Sequence, residues 1–279
     1  MHDLVMRYAL RRDLRSASVE QLQYAMETFG RFLTREPSLA DFTDDVVNRF
    51  LCWLPTCGYA HDTIKTRRRS LLTLWRSAAD DGLTVAPRKV RPLAPVYVLP
   101  RAWTPSQVAL ILGECDQLRG TFRSCPTVER RLFARAFVLT AYETGFRRGD
   151  VLRIRRAMIE PSGLIPLVQS KTGRVHVSRV RPETIAAIDR MGVAGRQTVF
   201  GGIISLRRLS RLLKGIFRAA CPEGSIKWLR RSGATHVEMD RPGTGWQYLG
   251  HTSARVAHQS YLDPLQTGAK PAIPPPLPD

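Results

Sequence analysis

Four short segments in the second half of the chain carry residue types suited to phosphodiester chemistry without a metal ion. They are AYETGFRRGDVLRI, containing Arg147; SKTG, containing Lys171; KWLRRSGATH, containing Lys227 and Arg230; and LGHTSARVAHQSY, containing His251 and Tyr261. A phosphodiester is anionic, so a nucleophile attacking it needs positive groups to hold the charge that builds on the non-bridging oxygens. Arginine suits that task because it is always charged and can fork two hydrogen bonds onto phosphate. A further group must protonate the departing oxygen, and a side chain must attack. A tyrosine phenol, with an ordinary pKa of about 10, attacks only where nearby positive charge helps it ionise.

Other chemistries fit poorly. Ser-Lys-Thr-Gly at 170–173 invites a phosphate-binding loop, but that loop needs glycine where Ile165 and Ser170 stand. The five cysteines, Cys52, Cys57, Cys115, Cys125 and Cys221, are scattered, and none forms a Cys-x-x-Cys pair. They suggest neither a disulfide framework nor a zinc site, and they read as buried reduced thiols. There is no His-Glu-x-x-His motif, and the carboxylate pairs Asp44-Asp45 and Asp80-Asp81 lie far from the four segments. No metal and no cofactor is expected.

The charge balance agrees with an anionic partner. Lys and Arg number 43 against 24 Asp and Glu, a formal net charge of +19. Such a surplus repels itself in a compact fold, and a polyanion relieves it. Double-stranded DNA is the expected partner, bound with steep salt dependence. A membrane surface fits less well, because the cations are spread along the chain and not gathered on one amphipathic helix. No stretch approaches the roughly 20 apolar residues of a membrane span, and MHDLVMRYALRRDLRS at the N-terminus lacks a signal peptide's apolar run. The expectation is a soluble, cytoplasmic, DNA-associated protein of bacterial or phage type.

The elements that must position these residues divide into two groups. Residues 1–85 read as helices only. Val19, Leu22, Met26, Phe29 and Leu33 form one helical stripe after a Ser18/Gln21 capping box; Val46, Val47, Phe50, Leu51 and Leu54 form another. A third helix begins after Asp62 and buries Ile64, Leu71, Leu72, Trp75, Ala78 and Ala79. Its other side presents Lys65, Arg67, Arg68, Arg69 and Arg76, and the roughly six residues around Arg68 contain no acid, which reads as a DNA-facing surface in preference to a merely solvated face. Residues 86–102, within the Pro- and Arg-rich run TVAPRKVRPLAPVYVLPR, read as a stiff basic linker. The second domain, 103–269, opens with a Thr104-Pro105 helix start and a helix over 130–142. Two short strands within 164–180 flank a Lys-Thr-Gly turn, and helices follow at about 182–191, 205–220 and 227–240. Residues 270–279, rich in proline, read as a mobile tail. The fold class is therefore mainly α with a small β-hairpin, an α+β catalytic domain behind a helical one.

The four segments, in their order, resemble the signature regions of the tyrosine recombinase (phage integrase) family, over most of 103–265. Residues 1–85 resemble that family's helical, SAM-like core-binding domain. The resemblance implies Arg147 and Arg230 as the two phosphate-binding arginines and Lys171 as general acid to the leaving 5′ oxygen. It implies His251 as a donor to a non-bridging oxygen, Tyr261 as nucleophile, and Asp150 as an acid that orients the arginines. Lys227 stands where histidine is usual; it can donate to phosphate but is a poor general base near neutral pH. Arg148, Arg231 and His258 fall off the motif positions and read as surface or structural residues. The implied activity is site-specific breakage and rejoining of DNA through a 3′-phosphotyrosyl link, needing neither metal nor ATP. The two domains would close around duplex DNA, with four protomers on two duplexes and a monomer or weak oligomer when free. Two rivals share the features: an inactive DNA-binding regulator of the same fold, and a type IB topoisomerase.

Overall fold

The computed structural model describes residues 1–96, 98–193 and 195–268. The chain divides into two compact units, Met1–Tyr97 and Val98–Asp279. The tail expected over 270–279 lies outside the described residues.

The first unit is built from helices α1 (His2–Arg11), α2 (Ser16–Leu33), α3 (Asp44–Thr56) and α4 (His61–Asp80). α1 was not anticipated; it buries Leu4, Val5 and Ala9, and Leu4 and Val5 join the same core as the other helices. α2 begins at Ser16, which places Ser18 and Gln21 inside the helix and not at its cap. α3 is capped as Thr residues favour, with Thr43 Oγ1 accepting from the Val46 amide at 3.3 Å. Phe29, Phe50, Leu54, Leu71, Leu74 and Trp75 fill the centre, with Phe29 edge-on to Phe50 at 5.1 Å between centroids.

Much of the expected linker does not behave as one. Residues 85–94 lie along α3 and α4, held by side chains that pair with backbone groups outside any helix or sheet. The Asp44 carboxylate accepts from the Lys89 amide at 3.0 Å, and Asn48 Oδ1 accepts from the Arg91 amide at 2.8 Å. Trp75 Nε1 donates to the Val85 carbonyl at 2.7 Å, and His61 Nε2 to that of Ala94 at 2.9 Å. Val90 and Leu93 pack on the helical core. Proline rigidity lowers the entropy lost on such docking, so the same composition that marks a linker also marks a strap.

The second unit contains α5 (Pro105–Asp116), strands β1 (Thr121–Phe122) and β2 (Cys125–Glu129), α6 (Arg130–Thr144) and the one-turn α7 (Arg148–Val151). Then come β3 (Leu164–Val168), β4 (Val175–Arg179), α8 (Pro182–Asp189), α9 (Leu206–Ala220), α10 (Ile226–Asp240), α11 (Gly245–Tyr248) and α12 (Ala254–Ser260). α5 carries the expected cap: Thr104 Oγ1 accepts from the Gln107 amide, Gln107 Oε1 accepts from the Thr104 amide, and Pro105 is the first helical residue. α6 buries residues around most of its circumference, Phe133, Ala134, Ala136, Phe137, Val138, Thr140 and Ala141, and so runs through the core. β3 and β4 pair antiparallel with Pro166 opposite Val177 and Val168 opposite Val175; β1 and β2 form a separate pair. Ile165, Leu167 and His176 face inward from that hairpin. The architecture is thus mainly helical with small antiparallel sheets.

Among the described residues no helix is long and apolar enough to cross a membrane. Cys115 and Cys125 are buried as expected of thiols, but Cys52 and Cys57 are exposed: they sit on the solvent side of α3 and just past its end.

Candidate active site

α6 ends at Gly145, whose φ of +60° reverses the chain; a side chain there would meet the Tyr248 ring at 2.5 Å. The turn buries Phe146 and leaves Arg147 half-buried at the start of α7. Arg147 Nη1 donates to Gln169 Oε1 at 2.8 Å. Asp150, expected to orient the arginines, does something else. It is fully buried, and its Oδ1 accepts from the Ser170 amide at 2.9 Å and from Arg153 Nη2 at 2.8 Å. Burial alone would raise its pKa, but these hydrogen bonds outweigh burial and hold the carboxyl below its ordinary value. Asp150 therefore anchors the β3–β4 turn, one residue before Lys171, because Arg153 lies one helical turn away and Arg147 is engaged elsewhere.

Arg230 projects from α10 into the interior and is only 5% exposed. Nη1 donates to the Gly145 carbonyl, and Nη2 to the Leu249 carbonyl at 2.8 Å. Nη2 also lies 3.2 Å from His251 Nε2, which must accept because arginine has no acceptor. Burial lowers the Arg230 pKa, while the Tyr261 phenol works the other way. Lys227, one turn earlier on α10, is exposed. His251 is pushed down to about 4, by burial first and then by the charges of Arg230, Arg147 and His176. It is neutral at physiological pH, and among the described residues its Nδ1 is buried without a hydrogen-bond partner.

Tyr261 follows directly on α12. Its ring lies edge-on to His251 at 4.9 Å between centroids, and Arg230 Cζ stands 5.1 Å from the ring centre. The chain is pinned immediately beyond it: Leu262 is buried, and the Asp263 amide donates to Thr235 Oγ1 on α10 at 3.0 Å. Phe146, Arg147, Lys171, Lys227, Arg230 and Tyr261 line one cavity of about 430 Å³. Among the described residues its lining contains six basic residues and no carboxylate. Arg148, exposed as expected, and the half-buried Arg231 both belong to that lining, although neither was expected to take part in the site. Arg148 Nη1 is bound to Ser210 Oγ at 3.0 Å, and burial lowers the Arg231 pKa. His258 is exposed on the far part of α12.

No sequence-family profile matches the chain, and no curated protein sequence matches it. Solved structures do. A lambda integrase dimer bound to a COC′ core site superposes with a TM-score of 0.73 at 18% identity, covering 100% of this chain and 99% of that one. The XerH site-specific recombinase bound to a palindromic difH substrate gives 0.70 at 16% identity, over 92% of this chain and 80% of that one. The Tn1549 transposon integrase in complex with a circular intermediate DNA gives 0.69 at 12% identity, over 93% and 94%. The fold is that of the tyrosine recombinases.

Within the tyrosine recombinase fold of this chain, sequence reasoning overlooked two groups of residues. Gln169 and His176, buried on the inner face of the hairpin, connect Arg147 to the Leu249–His251 segment. Nothing in their types or spacing marked them. The second group is α9, whose exposed face carries Arg207, Arg211, Lys214 and Arg218 at helical spacing, with Arg208 beside them and no acid. That signal was legible by the rule applied to α4. On α4 itself, Lys65, Arg69 and Arg76 are exposed and share one face. Arg67 and Arg68 are turned partly inward: Arg67 stacks over Tyr24 at 5.7 Å, and Arg68 Nε donates to the Arg91 carbonyl at 3.0 Å. Among the described residues no group of three or more His, Cys, Asp or Glu side chains is placed to hold a metal ion.

Proposed function

We propose that this protein is a site-specific DNA recombinase that breaks and rejoins strands through Tyr261. The observation that carries the reading is the cavity where a phenol meets Arg147, Lys171, Lys227 and Arg230 with, among the described residues, no carboxylate to oppose an anion. A phosphate entering it is held by the two guanidiniums, and the neutral His251, whose Nε2 accepts from Arg230 Nη2, holds the second of them in place. The Tyr261 oxygen forms a bond to phosphorus, and the bond from phosphorus to the 5′ oxygen breaks. Lys171, exposed at the hairpin tip, gives its proton to that oxygen. The phenolic proton passes to solvent water as the surrounding positive charge stabilises the phenolate. Lys227 supports charge stabilisation and does not act as base. The reverse attack by a 5′ hydroxyl, from the same or a partner duplex, restores the phosphodiester and the phenol. The phosphotyrosyl bond conserves the energy of the bond that broke, so the cycle needs no ATP, and the guanidiniums supply the positive charge that a metal ion supplies elsewhere.

Each unit offers duplex DNA a cationic surface of its own: Lys65, Arg69 and Arg76 on α4, and Arg207, Arg211, Lys214 and Arg218 on α9. The proposed assembly is four protomers on two duplexes, by analogy with a lambda integrase tetramer bound to a Holliday junction, which superposes at a TM-score of 0.72 and 18% identity. The protein would work at DNA in the cytoplasm of a bacterial or phage-infected cell.

Covalent trapping tests the reading. The protein and its Tyr261→Phe variant are incubated in EDTA with nicked duplexes carrying candidate sites, then separated under denaturing conditions. An adduct formed by the parent and absent from the variant supports the mechanism. An adduct that persists in Tyr261→Phe, or that needs magnesium, overturns it. Tight duplex binding with no adduct on the cognate site would make the protein a DNA-binding regulator of this fold. Sequence-independent relaxation of supercoils by the monomer would make it a topoisomerase.

A further inference from the structure

Gln169 follows β3 at the foot of the turn that carries Lys171 and is 2% exposed. A buried primary amide has two acceptor and two donor positions to satisfy. Here all of them are engaged. Oε1 accepts from Arg147 Nη1 at 2.8 Å and from Thr172 Oγ1 at 3.0 Å. Nε2 faces His176 Nδ1 at 3.1 Å and the Leu249 carbonyl at 3.4 Å. The orientation follows from the partners, since arginine can only donate and a carbonyl can only accept. His176 Nδ1 must then accept, which leaves that ring neutral with its proton on Nε2. Burial first, and then the Arg230 and Arg147 charges, push the His176 pKa down to about 4 and keep the acceptor available. The Leu249 carbonyl also receives Arg230 Nη2 at 2.8 Å. One amide therefore touches the first arginine directly, reaches the second through a shared carbonyl, and braces the turn on either side of Lys171.

We propose that Gln169 is a positioning residue for strand cleavage: it aims the Arg147 guanidinium at the scissile phosphate and sets its distance from Arg230 and the Lys171 turn. The proposal rests on the recombinase reading above. A neutral amide performs this task without neutralising the arginine. A carboxylate at the same place would pair with Arg147 and compete with the phosphate for it.

Single-turnover cleavage of nicked duplex by the parent, Gln169→Met and Gln169→Glu tests the proposal on two substrates. One carries the ordinary scissile phosphate. The other carries a methylphosphonate, uncharged at that position, where little charge remains for an aimed arginine to stabilise. Gln169→Met removes both ends of the bridge and should cleave the phosphate on the order of ten- to a hundredfold more slowly, as expected for a misplaced catalytic group. Gln169→Glu keeps the shape and should also be slow on the phosphate. On the methylphosphonate both variants should come within about threefold of the parent. Equal slowing on both substrates would signal a structural role only and overturn the proposal, as would Gln169→Met matching the parent on the phosphate. A parent that cleaves neither substrate would overturn the recombinase reading itself, a result distinct from a parent that cleaves and a variant that cleaves as well.

Discussion

Replacing Gly250 by alanine puts a methyl group into the tightest corner of the site. Gly250 has a φ of +61°, and a Cβ there would stand 2.7 Å from Gln169 Nε2 and 2.7 Å from His176 Nδ1. Holding a side chain in the left-handed region costs about 1–2 kcal/mol. The stiffer unfolded chain offsets about 0.4–1 kcal/mol of that. The contacts decide the magnitude. Gln169 and His176 are both buried and hydrogen-bonded to each other, so neither can swing aside. Overpacking of such a site adds about 1–3 kcal/mol. The balance is a destabilisation of about 2–3 kcal/mol, which for a unit of this size lowers Tm by roughly 5–10 °C. Scanning calorimetry of the full chain reads it, with Gly215→Ala as control. Gly215 lies in the middle of α9 with nothing within 4 Å of an added Cβ, so there the same substitution should stabilise by about 0.5–1 kcal/mol. Gly250→Ala melting at or above the parent would refute the reasoning that the glycine exists to admit the Gln169–His176 bridge.

Two further outcomes are expected. His251 and His176 both titrate at about 4 in the folded protein, below the ordinary histidine value of about 6.5. Cleavage by the parent should therefore be level from pH 8 down to about 5.5 and fall only as pH approaches the folded values. In the same window the unfolded chain binds more protons than the native one, so stability is full above about 6.5 and declines as pH drops toward 4. A steep loss of cleavage near pH 6.5, with the protein still folded, would contradict the assigned neutral state. For DNA binding, charge reversal at Arg69 and Arg76 on α4, or at Arg211 and Lys214 on α9, should weaken duplex affinity uniformly across sequences. It should also flatten the salt dependence by about one unit of slope per lost phosphate contact. Fluorescence anisotropy over a salt series measures this, and an unchanged slope would remove that helix from the interface.

The candidate site residues were legible because phosphodiester chemistry without a metal restricts residue type. Arg147, Lys171, Arg230, His251 and Tyr261 each stand in a short segment with recognisable neighbours, and Leu249-Gly250-His251 followed by Tyr261 was distinctive in a chain otherwise crowded with arginine. Helices α3, α4, α5 and α10 were legible for a different reason: their apolar positions recur with the helical period, and Thr104-Pro105 marks a start. The strap over 85–94 was not, since proline-rich segments read alike whether they span solvent or lie on a neighbour. α1 was missed because its stripe is short and interrupted by charge.

Asp150 shows where local reasoning stops. The family resemblance implied that it orients the arginines, yet it grips Ser170, twenty residues on, and leaves Arg147 to Gln169. Hydrogen-bond partners of buried groups are chosen by which strands and helices meet, and sequence separation does not record that. A cationic, tyrosine-bearing set of residues within a two-unit, mainly helical architecture could be read off the chain directly, because residue type and periodicity are one-dimensional properties. That Arg148 and Arg231 line the cavity, that His251 is pushed down to about 4, and that Gln169 links Arg147 to His176 and the Leu249 carbonyl emerge from the packed fold alone. Burial and the geometry of the packed hairpin produce those effects, and neither exists until the chain has folded.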